Sequence, residues 1–410
     1  MRVRNTGIIV NRRLKIRCLV LVIVGIGFIM GGTVANSWAQ VASASPGLNS
    51  ELLNKAYRLL EEAVEAGKIP GAAILVARHG IAMEPRCFGR ISPEPDSPPI
   101  QPDTMFILAS VTKPMTVAAV MLLVERGKIS LDDPVVSIIP EFGTHGKEQV
   151  TIRHLMTHTS GLPDMLPENQ KLRKQHAPLE EFIRRVCNLK LGFPPGTNIE
   201  YQSMGIAILS EVVKRVEGVP LPQFMHREIF QPLGMKDTAL GARGLNTDRI
   251  AHVNVDNVEM GGVNMKGQDW SWNKPYWRNF GAPWGGMFSS VADMFQYCQM
   301  FLNQGELDGV RIFKPETIQR MVTDQTTSME TLPESAKDAA WGLGWRFQAK
   351  YAWPSFGDFV TFPSYGHWGS TGTLVWVDPN QELICIILTT EPDAHGILRQ
   401  CASLVALSAK

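Results

Sequence analysis

An α+β fold is predicted, with one antiparallel sheet flanked by helices, built from both chain ends around an inserted all-α subdomain. Three observations predict it. Strand-like stretches occur early, between residues 72 and 88. From there to about residue 245 the chain carries helical periodicity and Pro/Gly turns with no convincing strand. Alternating stretches return after residue 340, separated by turns as short as Asp378-Pro379-Asn380. Short turns favour antiparallel pairing over a doubly wound parallel sheet.

The elements follow in order. Glu51 to Gly67 has helical spacing through Leu52, Leu53, Tyr57, Leu60 and Val64, and stops at Gly67 with Pro70 beyond. Ala72–Ala77 and Ile81–Phe88 read as strands joined at His79-Gly80, and Ser92–Pro102 as loop. Ser110–Arg126 is an apolar helix. Thr151–Thr157, Leu179–Val186, Met204–Val216 and Leu221–Ile229 are the helical candidates of the middle. Residues 246–288 have no period and are crowded with Gly, Asn and Trp. Helical pattern resumes at Ser289–Leu302 and Pro315–Met321. Trp341–Phe347, Thr371–Val377 and Glu382–Thr389 are β-rich, and Leu398–Leu407 closes the chain as a helix.

Charge narrows the function classes. The 410 residues hold 40 Lys+Arg and 39 Asp+Glu, a net +1. Nucleic-acid binders need a basic field to offset phosphate charge, and none exists here. Arg2, Arg4, Arg12, Arg13, Lys15 and Arg17 precede an apolar run from Cys18 to Met30, and Ser37-Trp38-Ala39 offers a small-x-small cleavage site. That is the layout of a secretory signal peptide over residues 1–39. Its removal takes six positive charges and no negative one, leaving 34 against 39, a net −5. The run is shorter than the ~20 residues that span a bilayer, so cleavage and export are expected, with an uncleaved anchor as the alternative. No second spanning stretch follows, so no stable membrane span is expected after cleavage.

Cys18 lies in the leader, and Cys87, Cys187, Cys298, Cys385 and Cys401 remain. An odd, widely spaced set is no disulfide scaffold, although one bridge is compatible with export. Cys298 and Cys385 sit in apolar patterns as core fillers. His154 and His158 are spaced i,i+4, but Leu155 stands where H-E-x-x-H needs Glu, so a structural role is expected and no metal. No P-loop, dinucleotide fingerprint or G-x-S-x-G occurs, and no cofactor is implied.

Ser110-Val111-Thr112-Lys113 is the segment with chemistry in it. At a helix start, residues three apart reach one face. A serine hydroxyl becomes a nucleophile when a neighbouring base takes its proton, and a buried lysine can be that base. Ser271-Trp272-Asn273-Lys274 matches the same spacing, but Pro275 follows it in the aromatic loop, and it reads as coincidence.

Other segments keep Ser110 company. Tyr201-Gln202-Ser203 precedes a helix, and Gly366-His367-Trp368-Gly369-Ser370-Thr371-Gly372 leads into a strand. His154-Leu155-Met156-Thr157-His158-Thr159-Ser160-Gly161-Leu162-Pro163, Pro283-Trp284-Gly285-Gly286-Met287-Phe288-Ser289-Ser290 and Trp376-Val377-Asp378-Pro379 complete the series. In this order they resemble the serine β-lactamase/penicillin-binding-protein superfamily, and Tyr201 points to its class C β-lactamase-like branch of β-lactamases, esterases and D-aminoacyl peptidases. The resemblance implies a single β-lactamase-like catalytic domain over 40–410, its sheet part at about 50–110 and 290–410 and its mainly helical part at about 111–289. It implies Ser110 as acylated nucleophile, Lys113 as base or proton relay, and Tyr201 as the second proton-transfer group. The backbone N–H groups of Ser110 and Ser370 would form the oxyanion hole. Ser203, His367, Trp368 and Gly369 would contact substrate.

Two departures bear on that substrate. His367 stands where the branch's β-lactamases and peptidases usually carry Lys, and near pH 7 a histidine is mostly neutral. Ser203 stands where Asn is usual and cannot offer an amide's paired donor and acceptor. Both favour a neutral carboxylic ester, with a cell-wall-type substrate of a β-lactamase or D-Ala-D-Ala carboxypeptidase as the alternative, and a catalytically silent binding homologue as a third. Trp270, Trp272, Tyr276, Trp277, Phe280 and Trp284 crowd one loop, either as an apolar wall over the site or as the loop's own anchor.

Overall fold

A computed structural model describes residues 46–349 and 356–410. The leader and its cleavage site lie outside the described residues. Helix α1 (Ser50–Glu65) opens with Asn49, whose side chain accepts from the N–H groups of Glu51 and Leu52 and so satisfies two free donors of the first turn. Strand β1 (Gly71–Arg78) follows. The expected strand Ile81–Phe88 is instead two, β2 (Ile81–Ala82) and β3 (Arg86–Gly89), both paired with β1. Pro85 breaks the run because it has no N–H for the ladder. Strand β4 (Phe106–Ile107) leads through the single turn Ala109–Val111 into helix α2 (Thr112–Glu125).

The middle holds α3 (Ile152–Met156), α4 (Asn169–Lys174), α5 (Leu179–Cys187), α6 (Met204–Glu217) and α7 (Leu221–Met225). It is mainly helical but not purely so. Strands β5 (Ala239–Leu240) and β6 (Met287–Ser289) join β4 in a small sheet of order β4-β6-β5, with helix α8 (Pro275–Phe280) between them. Two-residue strands carry too little alternation to be read from sequence.

Helices α9 (Val291–Leu302) and α10 (Pro315–Met321) return the chain to the main sheet. There β7 (Arg346–Phe347), β8 (Tyr365–Gly369), β9 (Thr373–Asp378) and β10 (Leu383–Thr389) form a meander, and helix α11 (His395–Ser408) ends the chain. The order is β7-β8-β9-β10-β1-β2, antiparallel throughout, so an early strand completes a sheet of late ones as the sequence predicts. Most of Trp341–Phe347 is not strand: it is a turn that brings Trp341 back to bridge Arg346.

The sheet is buried on both faces, which explains why β10 reads as an unbroken apolar run. Ile384, Ile386 and Leu388 face the large core with α2 and α9, while Leu383, Cys385 and Ile387 face α1 and α11. Among the described residues no disulfide forms, and Cys298, Cys385 and Cys401 are fully buried. No described helix is long and apolar enough to cross a membrane. Because Ile386 is wholly enclosed, Ile386→Ala is expected to lower unfolding free energy by about 2–5 kcal/mol, read by urea denaturation.

Candidate active site

Helix α2 is apolar on nearly every side and sinks into the core, carrying Lys113 with it to zero exposure. A buried ammonium needs partners or loses its proton. Lys113 Nζ lies 3.1 Å from Ser110 Oγ and donates to the carbonyl of Trp284 at 3.0 Å. Burial drives its pKa down to about 7, with the Asp164 carboxylate working against that fall. The turn before it is strained: Ala109 has φ +45°, left-handed for a residue with a Cβ. Strand β6 and its approach hold the turn in place. Leu108 N–H donates to Met287 O, Met287 N–H to Thr112 Oγ1, and Thr116 Oγ1 to Pro283 O.

Tyr201 arrives from the segment before α6. Gln202 pins that segment, its amide donating to the carbonyls of His154 and Leu155 and its Oε1 accepting from Ser160 Oγ. The backbone N–H of Gln202 donates to His158 Nδ1 at 3.1 Å. The turn needs Gly161, at φ +82°, since a Cβ there would stand 2.3 Å from Phe193 O. The Tyr201 ring then lies 4.5 Å from Lys113 Nζ. Its hydroxyl is shut off from solvent and has no partner of normal hydrogen-bond geometry among the described residues. Burial raises its pKa, the neighbouring Ser110 hydroxyl opposing, so the phenol keeps its proton at neutral pH.

Strand β8 supplies the third wall. Period-two alternation puts Tyr365 and His367 on the large-core side. Trp368 turns the other way onto the His395 ring at 5.2 Å, away from the place expected of a substrate contact. His367 Nδ1–H donates to the Trp368 carbonyl at 2.7 Å, the assignment a carbonyl acceptor requires. Nε2 is left with its lone pair, buried and unpartnered. Burial, helped by Lys113, takes the His367 pKa to about 3, so this position carries no charge near neutrality.

Gly369 is where β8 meets the turn that carries Ser110. A Cβ there would stand 2.3 Å from Leu108 O and 3.0 Å from Ala109 Cβ. Thr371 Oγ1 donates to Ile107 O and Thr373 Oγ1 to Leu108 O, so exposed Ser370 is held between residues tied to the turn that carries Ser110. Among the described residues no acceptor takes the N–H of Ser110 or Ser370.

Four side chains of the site were not singled out from the sequence as functional. His158, fully buried with φ +62°, packs edge-on to Trp341 at 4.2 Å and lies 4.9 Å from the Tyr201 ring. Trp341 also borders His367 and Tyr201. The Arg346 guanidinium lies 5.8 Å over Trp341. Asp164 accepts from Ser203 Oγ at 2.6 Å, so Ser203, expected at the substrate, is engaged with a carboxylate. Asp164 directly follows Gly161-Leu162-Pro163, the one local signal that could have found it.

His154 parts from His158: its Nδ1 accepts from Thr151 N–H in the capping box of α3. No cluster of three metal-ligating side chains occurs among the described residues. Ser271 and Lys274 are joined only by a turn before α8. The aromatic loop is largely its own anchor. Trp270, Trp272, Trp277 and Trp284 are buried, and the Arg173 guanidinium lies 4.2 Å over Trp277 and 5.9 Å over Trp270. Trp284 reaches the site through its carbonyl, on Lys113.

A buried lysine one turn from a half-exposed serine, faced by a phenol beside an antiparallel sheet, defines the serine-enzyme type shared by β-lactamases and penicillin-binding proteins. The chain belongs to the Beta-lactamase family, whose family model matches residues 57–410. It is 38% identical over 194 residues to Esterase EstB of Burkholderia gladioli, covering 44% of this chain and 49% of that one, so the match spans about half of the esterase. It is 28% identical over 365 residues to Protein Rv1367c of Mycobacterium tuberculosis, covering 80% and 88%. The solved structure of EstCE1, a hydrolase with promiscuous acyltransferase activity, superposes with a TM-score of 0.72 at 23% identity over 87% of this chain and 99% of that one. At that identity the likeness concerns the fold.

Gly369→Ala is expected to force β8 away from the turn that carries Ser110. Displacements near 1 Å reduce reactivity by about 10²-fold, and a loss of that size is expected in the rate at which a fluorophosphonate labels Ser110.

Proposed function

We propose that the protein is an exported serine hydrolase that cleaves a small carboxylic ester through an acyl-enzyme on Ser110. In acylation Lys113 Nζ takes the Ser110 proton while Oγ bonds to the ester carbonyl carbon. The N–H groups of Ser110 and Ser370 receive the oxyanion, where preorganised donors are worth most. Tyr201 gives its proton to the departing alkoxide and regains one from Lys113, 4.5 Å from its ring. Water then attacks the acyl-enzyme, its proton passing through the same pair to Ser110, and the acid leaves. Atoms balance as ester plus water to acid plus alcohol, with no cofactor.

The observation that carries the reading is Lys113 Nζ, wholly buried and 3.1 Å from Ser110 Oγ. A lysine with a pKa near 7 is free to accept a proton at neutral pH, and a protonated Tyr201 is free to donate one. Neutral His367 supports an uncharged ester over a substrate needing a cation at that wall, as does the identity with an esterase over part of the chain.

A second reading, a carboxypeptidase acting on D-Ala-D-Ala ends, is favoured by Arg346. It makes no ion pair among the described residues, and these include every Asp and Glu of the chain, since none precedes Glu51 or falls within 350–355. An uncommitted guanidinium stacked on Trp341 suits a terminal carboxylate.

The purified protein is expected to hydrolyse a short-chain p-nitrophenyl ester, with Ser110→Ala lowering turnover by about 10³-fold or more. Turnover of a chromogenic cephalosporin or a D-Ala-D-Ala peptide without ester turnover would replace the first reading by the second. Protonated Lys113 cannot accept the serine proton, so kcat/KM is expected to rise with pH through about 7, falling tenfold per pH unit well below it. Tyr201→Phe should lower kcat by about 10²–10⁴-fold in the same assay.

A further inference from the structure

Apart from the Ser110 site, the chain forms a cavity of about 910 Å³ among α5, α6, α7, strand β5 and the end of α8. Neither Ser110, Lys113, Tyr201, His367 nor Ser370 lines it, and no step of the acyl transfer uses it. Its size is that of a small-molecule site. The walls are largely apolar, with Ile183, Leu221 and Leu240 buried and Leu179, Leu245 and Phe280 half-buried.

The charge at this cavity is lopsided. Lys236 and Arg243 are exposed, lie on either side of β5 in the chain, and make no ion pair among the described residues. Those residues include every Asp and Glu of the chain. The buried Asp293 carboxylate, which feels Lys236, is already bonded by Asp237 N–H at 2.7 Å and Thr238 Oγ1 at 2.8 Å. Both carboxylates that line the cavity are engaged as well. Glu180 accepts from Lys214 Nζ at 3.1 Å and Glu211 from Arg215 Nε at 2.6 Å. His176 stacks on Tyr276 and faces Asp269 at 3.2 Å, and His226 is the other basic side chain. The hydroxyls are committed too, Ser210 to Ala207 O and Tyr276 to Ala177 O. What remains is an apolar hollow with two unspent cations and no unspent anion.

We propose that this cavity is a second binding site, for an aliphatic monocarboxylate whose chain lies on the apolar walls and whose carboxylate is taken by Arg243 and Lys236. A guanidinium matches a carboxylate in shape and charge, and the ammonium adds a second cation. A neutral lipid would leave both cations unused. A nucleotide or sugar would bring more polar groups than these walls can satisfy. The site needs no acyl transfer at Ser110, so it stands or falls separately from the ester reading.

The test is equilibrium dialysis of the purified protein against decanoate kept below its micellar concentration, where one saturable site per chain is expected. Each methylene removed between decanoate and hexanoate is expected to weaken binding by about two- to fourfold. Decanol, with the same chain length and no charge, is expected to bind about fivefold or more weakly than decanoate. Lys236→Gln combined with Arg243→Gln should cost decanoate a similar factor and leave decanol unchanged. Ala239→Phe, which fills the cavity from β5, should weaken both ligands; the exposed charge substitutions keep the test decisive should that variant not fold. Ser110→Ala is expected to bind decanoate as the parent does. No saturable binding, equal affinity for decanoate and decanol, or unchanged decanoate affinity without the two cations overturns the proposal. Loss of binding in Ser110→Ala would put the ligand at the serine and overturn it too. A protein that turns over no ester yet binds decanoate in this way would sink the ester reading and leave the second site standing.

Discussion

The structure depends on the burial of one amine. Lys113 is enclosed because α2 is apolar on nearly all sides, and α2 is enclosed because the main sheet and the helical middle close over it. A lysine in that place either finds an anion or gives up its proton. It finds only the Ser110 hydroxyl and the Trp284 carbonyl. The same packing that stabilises the fold therefore lowers the pKa of the amine, and the Ser110 hydroxyl one turn before it is the group within reach.

The rest of the site is arranged around that amine by backbone more than by side-chain contacts. Trp284 is delivered by β6, whose neighbours in the small sheet begin far away in the chain. Tyr201 is delivered by Gln202, anchored on residues 154–160. Gly369 lets β8 touch the turn that carries Ser110, where any side chain would collide. Three chain segments more than two hundred and fifty residues apart at their extremes meet because each is tied to its neighbour by hydrogen bonds to main-chain carbonyls.

Much of this was legible in the sequence, and the reasons differ by element. That both chain ends share one sheet followed from strand-like stretches on either side of a helical middle, with short turns between the late ones. The Ser110–Lys113 pair followed from i,i+3 spacing at the start of an apolar helix. The placement of Trp368 did not follow, because motif order says which residues arrive and alternation decides which way each one points. Asp164 escaped because a lone carboxylate after a proline reads as a turn residue, and its place in the site appears only when Ser203, thirty-nine positions on, is seen to bond it. Arg346 and Trp341 escaped because the stretch containing them reads as a strand and is a turn that brings the two together.

The account is most directly tested by titrating the Lys113 amine itself, following its Cε and Nζ resonances by heteronuclear NMR in the protein labelled at lysine. The account requires a midpoint near 7, absent from a Lys113→Gln control. A midpoint in the ordinary range near 10 would mean that the amine stays charged where it is asked to act as a base, and would contradict it.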